Sequence, residues 1–154
     1  MSTTYTIPVY HISLVRDGKV KQTERPQIRH SRNGAEILRS YLAEVDREHF
    51  VVLLLNQKNR VIGIHTVSVG SMTASIVHPR EVFKAAILSN AAAIICGHNH
   101  PSGDTIPSQE DRTLTARLVK AGELLGIPVL DHLVLGDDGN YYSFADMGSL
   151  KEAT

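Results

Sequence analysis

The stretch GHNHPSGDTIPSQED, residues 97–111, sets two histidines, three acids, two prolines and two serines close together. His98 and His100 stand two residues apart, and in an extended segment residues i and i+2 point to the same side. Both imidazoles can therefore converge on one ion. A catalytic zinc commonly takes three protein ligands and keeps a fourth position for water. Asp111 can supply the third ligand if the loop folds back, and Ser108 then lies near the open position. A plainer reading competes with this one. Ser108 and Asp111, three residues apart, also suit the start of a helix, where a serine oxygen accepts a free N–H and an acid meets the positive end of the dipole. On that reading Pro101, Gly103 and Pro107 shape a loop, and the two histidines are surface residues without assigned work.

The elements around the stretch bear on the choice. Residues 109–125 form a long amphipathic pattern that Gly126 can terminate, and AAAIICG before the histidines is a short apolar run expected to be a central strand ending at Gly97. The stretch therefore falls in a loop from the carboxyl end of a strand to a helix, where open α/β sheets tend to hold ligands. Upstream, Asn33 is expected to cap a helix through GAEILRSYLAEV. HFVVLLLN and VIGIHTVSVG, separated by QKNR, read as a buried hairpin. HPRE opens another helix, with Pro79 at its first position and Glu81 at the positive end of its dipole. IPVLDHLVLG is the next strand, DDGN a turn and YYSF a last short strand. Residues 9–15 alternate as a strand should, with a turn at Asp17-Gly18, and residues 22–31 read as a polar connector. Helices alternating with strands predict an α/β fold in three layers around a mixed sheet.

Composition narrows the classes. At 154 residues the chain suits one domain, divided here into an N-terminal strand and connector (1–32) and a main domain (33–150). The formal net charge is zero, so no global positive field draws in nucleic acid. The one basic segment, RPQIRHSR, has no aromatic residue on which a base could stack. The single cysteine, Cys96, rules out a disulfide framework and a four-cysteine zinc cluster within one chain. No apolar run is long enough to cross a bilayer, and MSTTYTIPVY lacks the pattern of a signal peptide, so the cytoplasm is the expected compartment. Neither H-E-x-x-H nor the P-C-x-x-C of the zinc deaminases is present.

The pattern His98-x-His100, seven residues, Ser108, two residues, Asp111 resembles the JAMM (MPN+, JAB) metalloprotease motif. With DREHFVVLLLN, HPREVFKAAI and LLGIPVLDHLVLG around it, residues 34–148 resemble the RadC family of bacterial JAMM-like proteins. The resemblance implies a cytidine deaminase-like three-layer fold, with a zinc ion on His98, His100 and Asp111. It further implies an upstream glutamate as general acid and base. Glu48, directly before VVLLLN, fits that role better than Glu44 within the preceding helix or Glu81 at the start of another. The implied reaction is hydrolysis of an amide or isopeptide bond in a peptide or protein. Glu48 would relay the proton of the attacking water, and Ser108 would donate to the oxyanion. His132 is a candidate to orient a ligating histidine, or else a satisfied core residue. Cys96 is expected to be a buried strand residue, Asp104 to serve the turn, and His49 and His65 to lie on the strand surface. The family also carries a DNA-repair label, and longer members have an N-terminal helix-hairpin-helix-like segment that is not expected here. DNA binding is possible but not favoured; a zinc that merely holds the loop is the non-catalytic alternative.

Overall fold

The computed structural model describes residues 2–21, 26–70 and 77–150. Its elements follow the order α1 (Ser31–Tyr41), β1 (His49–Leu55), β2 (Val61–Val69), α2 (Pro79–Leu88), β3 (Ala93–Asn99), α3 (Gln109–Leu125), β4 (Val129–Leu135) and β5 (Tyr141–Ser143). The five strands make one mixed sheet in the order β2-β1-β3-β4-β5. Only β3 and β4 run parallel, as their α3 crossover requires; the other neighbours are antiparallel.

The alternation along β1 decides the layers. Val51, Leu53 and Leu55 face α1, where they meet Ala35, Ile37 and Leu38. Phe50, Val52 and Leu54 face the other way, onto Val82, Phe83 and Ala86 of α2 and Leu114 and Leu118 of α3. Each Val, Leu, Ile or Phe side chain buried this way contributes about 1.5–3 kcal/mol relative to exposure. Two cores on opposite faces of one sheet give the expected three layers. One glycine is needed for the α1 face to close. A Cβ at Gly97 would stand 2.3 Å from Leu38 Cδ1, so only a residue without a side chain lets α1 lie this close to β3.

Four expectations change. Residues 9–15 form no strand and Asp17-Gly18 no turn; Val9 is 96% exposed. Alternation provides a face but not a partner, and a lone strand leaves its backbone groups to water. Helix α1 is capped by His30, not Asn33, because His30 is the extended residue at the helix start. Asn33 sits a turn inside, and its Oδ1 accepts the N–H groups of Arg29 and His30. The same helix stops at Tyr41, before Val45, and Glu44 lies in the exposed turn that follows. Finally, β3 does not end at Gly97. His98 pairs with Phe50 on one side and Val134 on the other, so the first histidine of the motif belongs to the sheet. The connector positions 22–25, Arg25 among them, lie outside the described residues. Among the described residues no helix is long and apolar enough to cross a membrane.

Candidate metal centre

His98 is fixed in the sheet and His100 follows just past the strand end, which brings their Nε2 atoms 3.0 Å apart. The third group comes from α3. Ser108 caps that helix, its Oγ accepting the Asp111 N–H (3.0 Å), and Asp111 Oδ2 accepts the Ser108 N–H in return (2.9 Å). This reciprocal pair holds the Asp111 carboxylate over the helix start. Its Oδ1 lies 3.4 Å from His98 Nε2 and its Oδ2 3.3 Å from His100 Nε2. Helix capping and convergence on the histidines are therefore one arrangement. The two readings of the stretch do not exclude each other.

Glu48 stands directly before β1. Phe50 pairs with His98 in an antiparallel ladder, and the same register carried two residues further sets Glu48 opposite His100. Glu48 Oε1 lies 3.9 Å from His98 Nε2 and 4.0 Å from His100 Nε2. Donor atoms of Glu48, His98 and His100 all lie within 4.8 Å of one another, a set able to hold a metal. The distances nonetheless separate the two carboxylates. Ligands about 2.0–2.1 Å from a tetrahedral zinc stand roughly 3.3 Å from one another. Asp111 comes close to that edge through a different oxygen toward each histidine, and Glu48 Oε1 stands further from both.

The donor chemistry fits a cation. The Nδ1 of His100 is 2.7 Å from the Asp104 carbonyl, which can only accept, so Nδ1 carries the proton and neutral His100 presents a bare Nε2. Burial alone would raise the Asp111 carboxyl, but His100 and His98, whose Nε2 atoms donate to it whenever they carry a proton, outweigh burial and hold the group well below the usual carboxylate range. The same hydrogen bond with Asp111 raises the pKa of His100. Positive charge is thus favoured between these groups, as a proton or as a metal ion. Burial raises the Glu48 carboxyl against the pull of His98 and His100, the direction a group that must both take and return a proton requires.

Several residues have simpler places. Glu81 bonds Lys84 Nζ at 2.7 Å in the first turn of α2, and Lys84 lowers its pKa. Asp104 Oδ1 accepts the Ile106 N–H, a turn contact. Cys96 is fully buried, and burial pushes its thiol far above the usual range, so it is an inert core group. His65 is exposed and His49 bonds the Arg47 carbonyl. His132 is fully buried, with its Nε2 2.8 Å from His98 Nδ1.

Two residues escaped the sequence reading. Asn99 Oδ1 accepts the His49 N–H (2.8 Å) while its Nδ2 donates to the Arg47 carbonyl (3.0 Å), so one side chain pins the backbone on both sides of Glu48. Its place between the two histidines was the available signal. Thr115, one helical turn after Asp111, touches His132 at 2.6 Å; nothing in the sequence distinguished it from other helical threonines. A cleft of about 340 Å³ opens beside His100, with Arg39, Asp46 and Asp137 on its walls. A larger one of about 730 Å³ lies at the opposite end of β3, but no titratable side chain lines it.

Fold and site together define a three-layer α/β domain with a candidate metal centre of two histidines and an aspartate, faced by a glutamate. Residues 28–149 match the family model of the RadC-like JAB domain. The chain is 50% identical over 126 residues to a UPF0758 protein of Rubrobacter xylanophilus, covering 82% of this chain and 55% of that one. It is 56% identical over 115 residues to one of Symbiobacterium thermophilum, covering 75% and 49%. The chain belongs to the RadC family, and spans about half the length of the curated relatives it matches.

Proposed function

We propose that this chain is a zinc-dependent metallohydrolase that cleaves an amide or isopeptide bond in a peptide or protein. The observation that carries the reading is the convergence of His98, His100 and Asp111 at 3.0–3.4 Å, with Glu48 set back at 3.9–4.0 Å. His98, His100 and Asp111 would hold the metal. Zinc in such a site supplies Lewis acidity, bringing the pKa of water from 15.7 toward roughly 7.

The chain's own groups do the rest. Glu48 takes the proton of the attacking water and returns it to the leaving amine, its raised pKa suiting both halves of that exchange. Ser108 Oγ accepts the Asp111 N–H and keeps its own hydrogen free, so it can donate to the oxyanion that develops on the attacked carbonyl. Asn99 holds Glu48 at its distance through the backbone of its two neighbours. The test is a panel of peptide and isopeptide-linked substrates assayed with zinc-loaded protein. Cleavage of at least one, abolished in Glu48→Gln, supports the reading; cleavage undiminished in that variant contradicts it.

A further inference from the structure

We infer that Thr115 and His132 are positioning residues that fix the tautomer of His98, keeping its Nε2 bare and aimed into the metal centre. The inference rests on the metal-site reading above and extends it to two residues that touch no substrate.

Thr115 Oγ1 lies 2.7 Å from the main-chain carbonyl of Asp111 and 2.6 Å from His132 Nδ1. A carbonyl has no hydrogen to give, so the threonine's single hydroxyl proton goes to Asp111. The proton between Thr115 and His132 must then belong to His132 Nδ1. A neutral His132 so protonated has a bare Nε2, which lies 2.8 Å from His98 Nδ1. The proton in that contact must come from His98. With its proton on Nδ1, neutral His98 turns an unprotonated Nε2 toward His100 and Asp111, the form a metal requires.

Burial enforces the sequence of donors. His98 and Thr115 are each 1% exposed and His132 is 0% exposed, so water has little access to replace a partner. Phe144 stacks flat on the His132 ring at 4.9 Å, and Phe50 meets it edge-on at 5.4 Å, which holds the ring plane. The chain of bonds also closes on itself. It starts at the carbonyl of Asp111 and ends at His98, which faces the Asp111 carboxylate. The first turn of α3 therefore supplies one ligand directly and orients another through Thr115 and His132.

Thr115→Val tests this, since valine keeps the shape and the β-branch but has no oxygen. His132 then loses its acceptor and is free to carry its proton on Nε2, which drives the His98 proton onto its own Nε2. Zinc affinity, measured by competition with a chromophoric chelator, should fall about 10–100-fold, and Thr115→Ser should restore it to within a few fold. Long-range ¹⁵N–¹H spectra of metal-free wild type should place protons on Nδ1 of both His98 and His132. A His98 without a proton on Nδ1 in that spectrum would overturn the inference, as would wild-type affinity in Thr115→Val. Wild type that binds no zinc would instead refute the metal reading, while the spectra would still decide the tautomers.

Discussion

Ser108 caps α3 and, in the proposed reaction, also donates to the oxyanion, and substitution can separate the two. Its Oγ satisfies the Asp111 N–H at the start of α3, and in the proposed reaction its hydroxyl hydrogen would face the attacked carbonyl. Ser108→Ala removes both. Loss of the cap costs about 0.5–2 kcal/mol, since the freed N–H belongs to the buried Asp111. For a chain of this length that is a fall in Tm of roughly 1–8 °C. Ser108→Gly, a tolerated cap, should cost only a few tenths of a kcal/mol. Both variants should keep zinc, since the Asp111 carboxylate bonds the Ser108 backbone N–H rather than its side chain. Both should lose on the order of 10²–10³ in kcat if the hydroxyl donates to an oxyanion. Ser108→Asp preserves a capping acceptor but sets a negative charge where the oxyanion forms, so it should be stable and slower still. The assay is thermal melting beside steady-state hydrolysis. A Ser108→Gly or Ser108→Asp protein that is stable and fully active would refute the reasoning and leave Ser108 as a helix cap.

The close approach of α1 to β3 makes Gly97→Ala cost about 1–3 kcal/mol and Leu38→Ala about 2–5 kcal/mol. Because the new Cβ and the lost Leu38 methyl compete for one space, the double variant in urea denaturation should be less destabilised than the sum by about 1 kcal/mol or more; strict additivity would contradict the packing. Asn99→Ala frees the backbone around Glu48 without touching a ligand, so zinc content should hold while kcat falls on the order of tenfold or more. Zinc loss in that variant would mean that Asn99 supports the ligands instead. With zero net charge, binding to mixed-sequence duplex DNA should be no tighter than about 1 μM at physiological salt. Sub-micromolar binding by fluorescence anisotropy, abolished by changing Arg25, Arg29 and Arg32 to alanine, would reverse that expectation.

Local pattern carried much of this molecule. The histidines at i and i+2, the Ser108–Asp111 spacing, Pro79 at a helix start and Gly126 at a helix end are short-range features, and each matches the element found. What depended on pairing was harder to read. Residues 9–15 have strand alternation but nothing to pair with, and His98 joined the sheet only because Phe50 and Val134 flank it. The standing of Glu48 could be argued from its place before β1, but its distance from His98 follows from the 50–98 register, which sequence spacing does not reveal. Thr115 and His132 are the clearest case. They lie 17 residues apart on α3 and β4, and their contact is created by the parallel crossover that seats α3 over the sheet.

In the proposed site His98, His100 and Asp111 bind one zinc while Glu48 stands outside the ligand set. Metal analysis of untagged protein, wild type beside His100→Ala, Asp111→Ala and Glu48→Gln, tests this ligand set most directly. The geometry predicts one zinc per chain in wild type and in Glu48→Gln, and loss of zinc from the other two. Full zinc in His100→Ala or Asp111→Ala, or its loss from Glu48→Gln, would contradict the assignment.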